Sequence, residues 1–353
     1  MKNNFRYFLL IIFCSLIIFK TVNANEPFEF NVTEIEILEN GNQINGYDSG
    51  TVTSEDGSTI TAENFFYNKL TNILEAVGSV KYIDVLNDVS ITSDKAIYFK
   101  NNEKVYTIGN SKAFNENNTI TASTLEFDKI NNIFKAKENA VVEDLEKDTV
   151  IYANEIIYLK NKEKFLSIGK SKAINKNNTI TASILEYDKI NNIFKAKENA
   201  VVEDLEKDTI IYSDEITYLK NDEKIFTEGK TKALIEKKYI FNSKNVTYLR
   251  NTEKIFSQKK SSLEDDNGNF YKLDNFFYDI DNELLKGKRV EVLAKVDESK
   301  TDKYFFSEGF FNFKEKSHVA KETKINTHKD IFDDENNDPR LYGSSSYSDE
   351  KKT

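Results

Sequence analysis

Residues 180–200 read ITASILEYDKINNIFKAKENA, and residues 120–140 read ITASTLEFDKINNIFKAKENA. Around them the likeness widens. NNIFKAKENAVVEDLEKDT stands at 131–149 and again at 191–209, sixty positions on. A smaller period near thirty lies inside the copy, because ITAENFFYNKLTNILEAVGSV (60–80), ITSDKAIYFKNNEKVYTIGNS (91–111), IYANEIIYLKNKEKFLSIGKS (151–171) and IYSDEITYLKNDEKIFTEGKT (211–231) share one frame. The frame runs Ile-x-Ala/Ser, an aromatic residue five positions on, a polar turn, a second apolar pair, then Gly or Asn. A chain that copies itself this way is built from stacked units, and its function belongs to a surface many units share.

Each unit holds two runs with strand character. Ile180 and Ala182, then Leu185 and Tyr187, alternate with polar neighbours. The phase slips between Ala182 and Leu185, as a β-bulge requires. Asp188 to Asn192 has turn chemistry, and Ile193-Phe194-Lys195-Ala196-Lys197 alternates again. Runs of period two joined by short Asn/Asp/Lys turns read as consecutive antiparallel strands. Residues 136–147 have helical propensity, but Val141 and Val142 are not continued by a 3.6-residue face, so a strand is expected there. Such a sheet must bury its apolar face against another sheet or itself, at roughly 1.5–3 kcal/mol per large side chain. The expected fold is all-β: an elongated, repeat-built antiparallel body of two sheets rolled over an apolar interior.

The chain has 353 residues, 31% charged and 12% aromatic, with a mean hydropathy of −0.57. That excludes a polytopic membrane protein, and the Phe and Tyr content argues against an acidic disordered chain. Residues 1–24 differ: Lys2 and Arg6 precede an apolar run from Phe8 to Phe19, and Val22-Asn23-Ala24 suits a cleavage site. This reads as an export signal. Cys14, the only cysteine, lies inside it, so the mature chain has no disulfide. Removing Lys2, Arg6 and Lys20 takes the formal charge from −10 to −13. An acidic chain repels phosphate backbones, so no nucleic-acid partner is expected.

The frame resembles the OstA-like repeat of lipopolysaccharide-transport proteins, in which a unit reads roughly Thr/Ile-x-Ala-Asp-x-x-x-Tyr, a turn, then Ala-x-Gly-Asn-Val. Matching positions are Ala62, Glu63, Tyr67, Ala76, Gly78 and Val80, then Ser93, Asp94, Tyr98, Gly109 and Asn110, and later Ser213, Asp214, Tyr218 and Gly229. The match spans about 60–290. The resemblance implies a V-shaped β-jellyroll with an open apolar interior, in which lipid A acyl chains travel while the sugars stay in water. The candidate groove residues in the first units are Ala62, Tyr67, Tyr98, Ala122, Phe127, Phe134 and Ala136. Ala153, Tyr158, Phe165, Ile180, Ala182, Leu185, Tyr187, Phe194, Ala196 and Tyr218 continue the series. Unpaired end strands suit β-augmentation by another jellyroll of the pathway. The tail Asp338-Pro339-Arg340-Leu341-Tyr342-Gly343-Ser344 resembles the segment joining the periplasmic domain to the barrel in the outer-membrane lipopolysaccharide-assembly branch. That implies an outer-membrane barrel and its lipoprotein plug as further partners, and a place in the periplasm of a Gram-negative cell.

The expected division is an export signal at 1–24, the β-jellyroll at 25–313, and an acidic polar linker at 314–353. The last segment is too short for a barrel, whose strands need ~9–11 residues each, so the expectation is a truncated assembly protein or a stand-alone periplasmic form. Two departures from the family accompany it: no barrel, and none of the cysteines that many assembly proteins use to tie domain to barrel. His318 and His328, the only histidines, lie in this tail without ligand spacing, and Asp333-Asp334-Glu335 lacks a Gly-centred calcium loop. No nucleophile motif, phosphate loop or zinc motif occurs. Neither enzyme activity, metal nor cofactor is expected. From periodicity alone, the apolar stripe is ordinary core.

Overall fold

The computed structural model describes residues 27–115, 117–297, 300–328, 331 and 340–349. The export signal, Asp333–Glu335 and Asp338–Pro339 lie outside the described residues. What is described is an antiparallel β-meander from Phe28–Leu38 to Arg340–Ser348. Each strand pairs with its sequence neighbour, so contacts are local hairpins stacked along one axis. The segment 136–147 lies mostly in the strand Ile133–Asp144, as its broken helical face implies.

Most long strands are bent near the middle. The register shifts between Thr181 and Ile184 opposite Lys197/Val201, and between Ile168 and Ser171 opposite Ile184/Ala182. These are the bulges expected from the phase slip. Backbone chirality makes the bend: Glu138 and Asn139 have φ of 62° and 56°, and the copies Glu198 and Asn199 have 62° and 57°. In alternate strands a glycine holds the corner. Gly109 sits at φ +77°, and a Cβ there would lie 2.3 Å from Asp94 Oδ2. Only glycine meets both demands without strain. Elsewhere the bend splits a strand outright, as where Tyr239–Lys244 and Thr247–Leu249 both pair with Lys224–Ile235.

Each bent strand therefore belongs to two sheets, which face each other across one core cluster. One sheet contributes a row of rings. Phe127, Phe134, Tyr158, Phe165, Tyr187, Phe194 and Tyr218 are neighbours in the ladder. Their centroids are 4.2–6.4 Å apart and their planes within about 22°. The opposite sheet supplies the smaller Ile120, Val142, Ile151, Ala173, Ile180 and Val202, each buried. Large against small lets the layers interdigitate without voids.

The 314–353 linker expectation needs correction. Ser317–Asn326 pairs with Thr301–Asn312, and Arg340–Ser348 pairs with Ser317–Asn326. The ladder continues past 313. Sequence periodicity missed the first of these strands because only Ala320 and Thr323 of it are buried, leaving almost no apolar alternation to read. His318 is also not in a polar tail: its ring lies 5.6 Å from Phe306 and 5.9 Å from Phe311.

Removing residues 131–190 joins Ile130 to a second copy of Asn131 and deletes four strands in register. The shortened chain is expected to fold and to lose ~19 Å of length, four strand spacings. Small-angle scattering checks the length, and an unfolded or unshortened product would contradict the stacking.

Candidate functional site

Every expected groove residue faces the interior. Tyr67, Tyr98, Phe127, Phe134, Tyr158, Phe165, Tyr187, Phe194 and Tyr218 stand on the ring-bearing sheet and are 0–1% exposed. Ala136, Leu185 and Ala196 lie behind them, equally buried. Ala62, Ala122, Ala153 and Ala182 sit at the bend, 3–9% exposed, and Ile180 belongs to the facing sheet. The open interior implied by the resemblance is not what these residues form. These rings are almost wholly shielded from solvent within one core cluster, so along this row the interior is a closed core.

The edge at which the two sheets end is set by the hairpin turns. Because most long strands bend back, the turns at their two ends meet along one edge, the mouth of the V. One lip carries the turns after Tyr98, Phe127, Tyr158, Tyr187, Tyr218 and Tyr248; the other carries those after Asp84, Asn115, Asp144, Asn175 and Asp204. Basic side chains cross between them. Lys129 Nζ pairs with Asp56, lies 3.6 Å from Asp84 and 3.5 Å from Glu103, and donates to Ser58. Lys189, its copy, lies 3.4 Å from Asp144 and 3.6 Å from Glu146, and donates to Asn118 Oδ1 at 3.3 Å. Arg250 completes the series, with Asp204 at 2.6 Å, Glu206 at 2.6 Å and Glu223 at 2.8 Å. Between these, Lys160 donates to the Asn87 carbonyl and Lys220 to that of Lys147.

Tyrosine hydroxyls finish the seam from within. Tyr187 donates to Asp144 Oδ2, and Asn118 Nδ2 to the Tyr158 hydroxyl. Burial, with Glu223 nearby, pushes the Tyr218 hydroxyl up to about 12. Burial raises that of Tyr187 also, with Asp144 adding to it. Both hydroxyls stay protonated at neutral pH. Past Arg250, Tyr239 donates to Glu283 at 2.6 Å. There a cavity of about 440 Å³ opens, lined by Tyr239, Tyr271, Phe311, Phe313, Lys238 and His318 among others.

No single-sequence signal marked these cations. The interaction connects residues 45 or 46 apart, such as Lys189 with Asp144 and Arg250 with Asp204, which is neither a hairpin nor a helix spacing.

No protein-family model matches this sequence, and no curated protein matches it. Among solved structures the chain is similar to the crystal structure of LptH, described as the LptA homologous periplasmic component of the conserved lipopolysaccharide transport device from Pseudomonas aeruginosa. Identity is 19%, the match covers 32% of this chain and 86% of that one, and the TM-score is 0.30. A likeness of that size carries no inference about this chain.

Lys189→Met leaves Asp144, 2% exposed, without its cation. The expected loss is about 3–5 kcal/mol in urea unfolding, and adding Asp144→Asn restores much of it. A single variant as stable as the parent would refute the pairing.

Acid tests the same seam. Burial raises the Asp56 carboxyl, but hydrogen bonds from Lys129 and Ser58 outweigh this and hold it below the ordinary range. A depressed carboxylate stabilises fully above its unfolded pKa, about 3.9. That contribution is lost as pH falls through the lower folded value. The urea midpoint should hold between pH 8 and 5 and drop below about pH 4, less steeply in Asp56→Asn. An identical acid limb in that variant removes Asp56 from the account.

Proposed function

We propose that this chain is a non-enzymatic, exported component of lipopolysaccharide transport, holding lipid A acyl chains between its two sheets while the sugars remain outside. The observation that carries this reading is the apolar interior itself. It runs from strand to strand through every repeat without a polar barrier across the axis. Buried charge is confined to one lengthwise seam at the mouth, while the polar groups buried at the bend are short hydroxyls that pair with one another, as Thr107 with Ser111 and Thr227 with Thr231. A body that sorts apolar from polar along its whole length has the geometry an amphiphile needs, and the OstA-like frame supplies the class of cargo.

Within that pathway, the Asp338–Ser344 motif favours the periplasmic part of the assembly protein LptD over the LptA bridge. At both ends a strand pairs on one side among the described residues, Phe28–Leu38 with Gln43–Ser54 and Arg340–Ser348 with Ser317–Asn326. Another jellyroll extends such an edge by β-augmentation. On this reading the protein works in the periplasm, at the outer membrane.

A second reading has its own support. The stacked rings leave no open groove, which suits a structural β-rod without cargo. Photo-crosslinking separates the two. A benzophenone side chain at Phe194 or Tyr187 is expected to capture lipopolysaccharide, and one at the exposed Lys195 is not. Adducts confined to Lys195 or Glu186 would favour the rod and end the conduit reading.

A further inference from the structure

The turns along the mouth are inverted. In Asp188-Lys189-Ile190 the lysine is tucked in, 5% exposed, and the isoleucine stands in water at 68%. Lys129 and Ile130, at 9% and 68%, repeat this. The opposite lip follows the same rule: Asp144 is 2% exposed and Leu145 71%, Asp204 1% and Leu205 64%. Burying charge and exposing large apolar side chains is the costly arrangement on both counts. It occurs on two lips that the ion pairs bring face to face, and the sixty-residue repeat copies both halves.

We infer that these inverted turns are lateral entry stations for an anionic amphiphile, whose headgroup takes the seam cation from its aspartate while its chain lies on the exposed Ile and Leu. This rests on the conduit reading, since it supposes that acyl chains end between the sheets. A phosphate headgroup offers the acceptor oxygens that Lys189 now finds on Asp144 and Glu146, and charge-assisted bonds to either are of similar strength. Exchanging one anion for another opens the seam without stranding a buried ammonium. The displaced carboxylate turns to water and can protonate or hydrate there. An uncharged lipid has no such exchange to offer and must break the pair outright. Arg250, held by three carboxylates, is the station hardest to open and marks where the latched run ends.

The test compares two probes with identical acyl chains, phosphatidic acid and diacylglycerol, in dodecyl maltoside micelles. Benzophenone at Phe194 reports arrival inside. The parent chain should yield at least about tenfold more interior adduct with phosphatidic acid, the size of one charge-assisted bond. Replacing both pairs neutrally, Lys129→Met with Asp56→Asn and Lys189→Met with Asp144→Asn, should bring the ratio to within about twofold of unity, because no charge-assisted bond then distinguishes the two lipids. Lys189→Arg should preserve the preference. If the fourfold variant does not fold, the parent and Lys189→Arg still decide. Equal adducts from both lipids in the parent would overturn the exchange and leave the conduit intact. A preference that survives neutral replacement would overturn it too. No interior adduct from either lipid in any folded variant would overturn both readings.

Discussion

The bend in the middle of each strand is the constraint from which the rest follows. A pair of left-handed residues at the bulge, Glu198-Asn199 or the glycine corner at Gly109, turns one strand into a member of two sheets. The apolar face on both sides of the bend then points inward, so no second domain is needed to cover it. The bend also decides where the turns go. Both strand ends return to the same edge, and a single lengthwise mouth results. Without the bend the chain is a flat meander with one wet face and two separate rows of turns.

Closing that mouth raises a conflict between two kinds of burial. The rings want contact, and stack at 4.2 and 4.4 Å within the closest pairs. The turns bring backbone carbonyls and Asp, Asn and Thr ends to the same place. Lysine resolves it, because a long apolar stem lies along the core while the ammonium satisfies the acceptors. Buried pairs of this kind add little net stability, yet removing one partner is expensive. The seam is therefore better understood as registering one lip against the other than as holding the roll shut. The aromatic row supplies the cohesion, and the seam says which turn meets which.

The sequence made the core legible and the seam not. Alternation through Ile180, Ala182, Leu185 and Tyr187, with its phase slip, located strand, bulge and inward face together, because period and burial are coupled in a half-buried sheet. The packing density of the interior was not legible. Alternation says which way Phe165 and Tyr187 point but not whether a gap separates them from the facing sheet. The lysines were hidden for a different reason. Lys189 and Ile190 sit in a turn, where hydropathy assigns the charged residue to water and the apolar one to the core, and the fold reverses both. Ser317–Asn326 was missed because a strand with two buried side chains has no pattern to display.

The seam also accounts for the length of the duplication. A thirty-residue unit is the smallest that restores the strand pairing, so folding alone permits copies of thirty. Along the mouth, however, the inner residue of the acidic lip alternates: Asp84, Asn115, Asp144, Asn175, Asp204. The asparagines are already engaged with neighbouring turns, Asn115 with the Asp88 carbonyl and Asn175 with that of Lys147. A thirty-residue insertion between the lips would set a lysine of the Lys129 type against an asparagine and leave an ammonium buried without its carboxylate. Sixty residues, four strands, returns lysine to aspartate. The nineteen repeated letters at 131–149 and 191–209 thus mark a copy whose length the polar seam selected, since the apolar core would have accepted half of it.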